Sequence, residues 1–136
     1  MNIKRFLLSI LAVFITFEVL SFLIHSVLLS GMYTESMAVW RTDMMEFMWL
    51  IYIADLLFVV LFVTIYTRWL NGPGIKAGLL FGLLVGLMMN TSGMINQFVI
   101  YPIPGNLLWW WIITGLIQFV LCGLVLGVIY KPKLTT

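Results

Sequence analysis

Residues 14–27 read FITFEVLSFLIHSV. The stretch is mostly apolar, yet it carries a carboxylate, Glu18, and the chain's only histidine, His25. Its apolar surroundings run from about residue 6 to residue 29, long enough to cross the hydrocarbon core of a bilayer, which takes roughly 20 helical residues. Three further apolar stretches follow, at about 44–68, 75–99 and 107–130. Backbone groups in lipid must bond within their own segment, so each stretch is expected to be a helix. The roughly ten-residue alternation of a membrane barrel is missing.

Composition agrees. The chain has 136 residues, 63% of them hydrophobic and 9% charged, with a mean hydropathy of +1.15. A soluble domain is about one quarter charged. The expected class is therefore all-α: a single four-helix transmembrane bundle spanning residues 1–136. The pI of about 8.9 does not imply nucleic acid, because the few basic residues are dispersed near segment ends. The first segment is read as a retained helix, since its apolar run is longer than a signal core of 7–15 residues.

Charge orients the bundle. Lys4, Arg5, Arg68, Lys76, Lys131 and Lys133 fall at the ends and in the second loop, and only Arg41 falls in the first or third loop. Basic residues concentrate on the cytoplasmic side, so both termini are expected there, in a bacterial inner membrane. Asn71, Gly72, Pro73 and Gly74 form one tight break, and Pro102, Pro104 and Gly105 another. The first outer loop is long enough for a short interfacial helix. Trp40, Trp49, Trp109, Trp110 and Trp111 mark the outer interface, and Tyr66, Trp69 and Tyr130 the inner one, with anchoring the expected role for most.

The third segment carries a stripe of small and polar residues: Gly78, Gly82, Gly86, Asn90, Gly93 and Gln97. Spacings of three and four put them on one helical face. The fourth answers with Gly115, Gln118 and Cys122. Glycines let two backbones approach closely, and amides bond across the gap. Helix packing is the expected role of Gly78, Gly82, Gly86, Gly93 and Gly115, whether against this chain or another copy.

The polar residues inside the spans are few. At about 1.5 Å of rise per residue, Glu18 lies within about 2 Å of its span's midpoint and Asp55 within about 3 Å. Asn90 and Gln118 fall near the middle of theirs, and His25 sits about 10 Å further out. Ionisable groups at this depth are costly and usually mark a binding or conduction path. With no Lys or Arg near either acid, one of the two must hold a proton, or a cation must complete the site. Glu18, Asp55, His25, Asn90 and Gln118 are therefore the candidate ligand- or proton-binding residues. The expected function is to bind or conduct a proton, a cation or a small cationic ligand.

Two alternatives stand beside it. One is a non-catalytic accessory subunit whose glycine stripe docks a larger membrane complex. The other is a copper-binding or enzymatic role, drawing on Met32, Met37, Met44, Met45, Met48 and Met94 near the level of His25, since thioethers with an imidazole suit Cu(I). Methionine is also an ordinary filler of apolar gaps, and an enzymatic role is not the expected one. There is no phosphate loop, no Gly-x-Ser-x-Gly and no His-Glu-x-x-His. One cysteine excludes an internal disulfide. No catalytic residue is assigned, and metal and cofactors stay unassigned. The expected partners are the lipid bilayer and either further copies of the chain or a larger complex.

The layout resembles that of uncharacterised small four-helix bacterial membrane proteins: a first helix, an aromatic-bearing outer loop, a glycine-rich third helix and an Asn/Pro-containing turn. Gly78, Gly82, Gly86, Asn96, Pro102 and Pro104 carry the likeness, which implies an architecture and no activity.

Overall fold

A computed structural model describes residues 2–70 and 74–130. The expected break at residues 71–73, the basic Lys131 and Lys133, and the side chain of Trp69 lie outside the described residues. Every regular element among the described residues is helical. Helix α1 (Ile3–Ser21) continues into a π-helical stretch, Phe22–Leu28. A short helix α2 (Ser30–Glu35) and two single turns lead to α3 (Met48–Ile65). After a second π-helical stretch, Tyr66–Leu70, come α4 (Gly74–Ile100) and α5 (Gly105–Ile129). Four segments are long and apolar enough to cross a membrane: Ile3–Leu28, Met44–Arg68, Gly74–Ile100 and Gly105–Ile129. The protein is thus an all-helical bundle with the makings of an integral membrane protein.

Local chemistry sets the ends. Asn2 caps α1, its carboxamide oxygen accepting from the Arg5 amide at 3.2 Å. Gly74 opens α4 at φ +81°, a backbone conformation that L side chains resist. Between α4 and α5 only residues 101–104 intervene. Pro102 and Pro104 stop the one helix and lead into the other, since the residue before a proline is pushed out of the helical region. Asn106 accepts from the Leu107 amide at 2.9 Å.

The tightest seam joins α4 to α5. A methyl built on Gly78 would run into the Gly123 carbonyl, and one on Gly82 into the Phe119 carbonyl. On Gly86 it would reach the Phe119 Cβ at 2.9 Å. Gly123 and Gly127 return the contact against Gly82 and Gly78. The two backbones touch because glycine leaves nothing between them. The stripe is therefore occupied by this chain's own α5. Gly93 is the exception: a methyl there would meet nothing within 4 Å. The sequence stripe continues past the point where α5 stops following it, so Gly93 has no packing role within the chain.

The core falls into two parts. The larger lies toward the end of the bundle that holds Ile3, Tyr66 and Tyr130, here called the terminal end. There Val13, Val59, Phe62, Val63, Tyr66, Phe81, Phe119, Cys122, Leu126 and Tyr130 pack together, with all four spans contributing. The smaller lies at the opposite, distal end, where Ile24, Leu29, Ile103, Leu107 and Trp111 pack with Tyr33, Trp40, Met32 and Met94 around them. It draws on α1, the loop and α5, with only Met94 from α4 and nothing from α3 beyond the preceding turns. Residues 49–54 of α3 are all exposed. Six helical residues turn through more than one full circle, so this stretch presents exposed side chains on every side. Residues 95–100 of α4 are exposed in the same way. The distal ends of α3 and α4 are therefore only sparsely covered.

Candidate functional site

Hydroxyls within the spans are mostly satisfied on their own helix. Thr16 donates to the Ala12 carbonyl at 2.8 Å, Thr64 to Val60 at 2.6 Å and Thr114 to Trp110 at 2.6 Å. Such back-bonding is the usual way to hide a hydroxyl from lipid. Glu18 is different. Its Oε1 is buried and has no hydrogen-bond partner among the described residues. Asp55 lies on α3 about one turn before Phe58, whose ring meets that of Phe17, the neighbour of Glu18, at 5.8 Å. Both residues are only partly buried. The two acids thus lie on stretches of α1 and α3 that meet beside them.

Gln118 sits in the same layer but serves α1 directly. Its Nε2 donates to the Phe17 carbonyl at 3.0 Å and to the Ser21 hydroxyl at 2.7 Å. The amide thus grips the backbone one residue before Glu18 and the side chain three residues after it, fixing α5 to α1 without touching the carboxylate. Asn90 is buried and faces α5. Its Nδ2 donates to the Gly86 carbonyl at 2.8 Å, and its Oδ1 lies against Gly115, where a methyl would collide with it. Gly115 is therefore a seat for the Asn90 side chain rather than a backbone-contact glycine.

On the terminal side of the carboxylates three rings close the layer. Phe17, Phe58 and Phe119 meet with centroids 5.8, 6.0 and 5.4 Å apart. They come from α1, α3 and α5 and lie next to Glu18, Asp55 and Gln118 in the sequence or one turn away. Below them the larger core continues to Tyr66 and Tyr130. On the distal side the α-helix gives way to π-helical winding right after Ser21. The Phe22 amide is shared between the Glu18 and Val19 carbonyls. Widened turns of this kind are found often at functional positions.

His25 does not join the carboxylates. An α-helix of 3.6 residues per turn would carry it round to the face of Ser21, but i→i+5 winding leaves four residues short of a full turn. The histidine is exposed, and its Nδ1 lies 2.6 Å from the Tyr33 hydroxyl. That hydroxyl also accepts from the Trp111 Nε1 at 2.7 Å. An indole N–H only donates, so the phenol O–H is free to donate to the histidine. Burial pushes the Tyr33 phenol above its ordinary pKa, so it keeps that proton at neutral pH. Rings of Tyr33, Trp40 and Trp111 pack at 5.5–6.3 Å, and the Trp40 Nε1 donates to Ser36 at 3.2 Å. This cluster pins the loop helix α2 onto α5. Trp111 is thus an inward-facing hydrogen-bond donor, while Trp49 and Trp109 are exposed as interfacial anchors would be.

Tyr33 and the Phe17, Phe58 and Phe119 rings were not read from the sequence as parts of a site. The Trp111–Tyr33 bond joins positions 78 apart, and no local spacing announces it. Among the described residues no group of three His, Cys, Asp or Glu side chains is placed to hold a metal ion. Of the methionines near the level of His25, Met32 and Met94 pack on the distal core, whereas Met37, Met44 and Met45 are exposed.

No protein family, no curated protein and no solved structure matches this chain.

Proposed function

We propose that the protein binds or conducts a proton, a cation or a small cationic ligand at the paired carboxylates Glu18 and Asp55. The observation that carries this reading is the buried Oε1 of Glu18, without a hydrogen-bond partner among the described residues. An unsatisfied buried polar atom costs about 1–3 kcal/mol, and an aspartate at mid-membrane costs about 2.5–3.5 kcal/mol on insertion scales. No Lys or Arg lies near either acid in the sequence. A bound proton or cation offsets both costs at once, which is why the pair reads as a site rather than as packing. Gln118 and Asn90 act through position: the first holds α1 in place around Glu18, the second locks the α4–α5 seam beside it.

In this reading the terminal end faces the cytoplasm of a bacterial inner membrane, because Lys4, Arg5, Arg68 and Lys76 gather there and Arg41 alone lies at the other end. The test is cation- and pH-dependent binding or flux in proteoliposomes, compared between the native chain and Glu18→Gln and Asp55→Asn variants. Loss in either variant supports the site; unchanged behaviour in both removes it.

A competing reading is an accessory subunit of a larger membrane complex or homo-oligomer. It rests on the all-round exposure of residues 49–54, since the glycine stripe is already taken by α5. A chain that runs as a monomer after mild extraction from its native membrane, with nothing accompanying it, contradicts that reading.

A further inference from the structure

We infer that the hydrogen-bond chain from Trp111 through Tyr33 to His25 is an acid-sensitive latch, which holds the loop helix α2 on the bundle while His25 is neutral and lets it go when His25 takes up a proton. The inference stands apart from the carboxylate reading above. Its first ground is the direction of the bonds. The Trp111 Nε1 lies 2.7 Å from the Tyr33 hydroxyl oxygen, and the His25 Nδ1 lies 2.6 Å from it. An indole N–H only donates, so the Tyr33 oxygen accepts from Trp111. Its own hydrogen is then directed to His25, whose Nδ1 accepts when the neutral ring carries its proton on Nε2. One oxygen thus joins α5, α2 and the π-helical end of the first span.

A proton on Nδ1 breaks this order. Both ring nitrogens of an imidazolium donate, so N–H and O–H then face each other across the same gap. The phenol hydrogen has to turn away, and among the described residues the Tyr33 hydroxyl has no other hydrogen-bond partner to turn to. No carboxylate offsets the new charge. Among the described residues the one ion pair joins Arg41 to Asp43. Helix α2 contributes Glu35, but a spacing of two places it on a different side of the helix from Tyr33. Helix α5 carries no Asp, Glu, Lys or Arg, and α4 carries only Lys76, in its first turn. Tyr101, before α5, and Glu46, before α3, are exposed. On its own segment the nearest ionisable residue is Glu18, about two turns away. The proton has access, since His25 is exposed and lies in the last turn of the span Ile3–Leu28. The latch is therefore complete while His25 is neutral and is lost as pH falls through its titration. A helix of six residues does not hold itself together alone, so α2 loosens when the chain opens. The buried Leu29, Leu107 and Trp111 of the distal core stay packed beneath it.

The experiment uses the full chain in lipid nanodiscs. The sequence holds a single histidine, so nitrogen-15 labelling of histidine reports on His25 alone. At about pH 8 the spectrum is expected to show the tautomer protonated on Nε2; the other tautomer overturns the direction of the bond. Hydrogen–deuterium exchange of residues 30–35, corrected for the intrinsic rate at each pH, is then compared at about pH 8 and about pH 5, on either side of the histidine range. In the native chain the protection of α2 is expected to fall about three- to tenfold at the lower pH, as the loss of one hydrogen bond requires, with α5 unchanged. His25→Asn keeps an acceptor oxygen near the place of Nδ1 and cannot titrate, so its protection should be equal at both pH values. Tyr33→Phe removes the hydroxyl and should show the low protection at both. Native protection that does not change with pH overturns the latch. A fall of the same size in His25→Asn overturns it too, and assigns the response to another group such as Glu35 or Glu46. If Tyr33→Phe fails to fold, the native chain and His25→Asn decide the matter.

Discussion

Adding one methyl group at Gly82 is expected to destabilise the bundle, while the same change at Gly93 is not. At Gly82 the new carbon would run into the Phe119 carbonyl oxygen, with the Phe119 carbonyl carbon and the Val120 Cα each 3.0 Å away. All three are backbone atoms, so no side chain can swing aside and the helices themselves must separate. Overpacking of this kind costs about 1–3 kcal/mol, and the seam lies at the upper end because Gly78 and Gly86 lose contact along with it. Alanine returns up to about 1 kcal/mol of helix propensity, for a net loss of about 2 kcal/mol. At Gly93 a methyl meets nothing within 4 Å, so only the propensity remains and Gly93→Ala is stabilising by about 0.5–1 kcal/mol. The two variants should thus differ by about 3 kcal/mol. Reversible unfolding in mixed micelles, followed by far-ultraviolet circular dichroism, measures the difference. Agreement of the two to within about 0.5 kcal/mol, the usual scatter at inert positions, would show that the α4–α5 seam is not built as described.

Four further outcomes follow from the same geometry. Gln118→Leu removes both donors that tie α5 to Phe17 and Ser21; interhelical bonds in membranes average about 0.6 kcal/mol and reach about 1.7, so unfolding should come earlier by about 1–2 kcal/mol, and no change would discount the tether. Trp111→Phe takes away one hydrogen bond to Tyr33, worth about 0.5–1.5 kcal/mol; it should speed amide exchange in α2 more than in α4, and uniform exchange would contradict the pinning of the loop. Cys122 is buried in the larger core and should resist maleimide in bilayers until the protein unfolds. In the loop, the Arg41 hydrogen bonds hold the Asp43 carboxyl below its ordinary value. That ion pair is complete above the usual carboxylate range and is lost as pH falls through the lowered value. It is fully exposed, so Asp43→Asn should leave unfolding unchanged.

Much of this was legible in the sequence for physical reasons. Four apolar runs of bilayer length leave helices as the way to satisfy their backbones, and the spans follow. The faces of α4 and α5 were readable because glycine at intervals of four has few uses besides close approach. What could not be read was where that approach ends: Gly93 keeps the spacing, but the divergence of the helices is set by the whole bundle. The common depth of Glu18 and Asp55 came from counting rise per residue, and the flanking rings of Phe17 and Phe58 do meet. For His25 the count assumed α winding, whereas the chain changes to π winding after Ser21. The bonds of Tyr33 to His25 and Trp111 were invisible for another reason. They depend on a loop folding back across the bundle, which no periodicity encodes.

The proposed site at Glu18 and Asp55 is tested most directly by a hydrophobic carbodiimide in reconstituted bilayers, with the modified residue located by mass spectrometry. Modification is expected at Glu18 or Asp55. Modification confined to the exposed Glu35 and Glu46, with both membrane-embedded acids untouched, would contradict it.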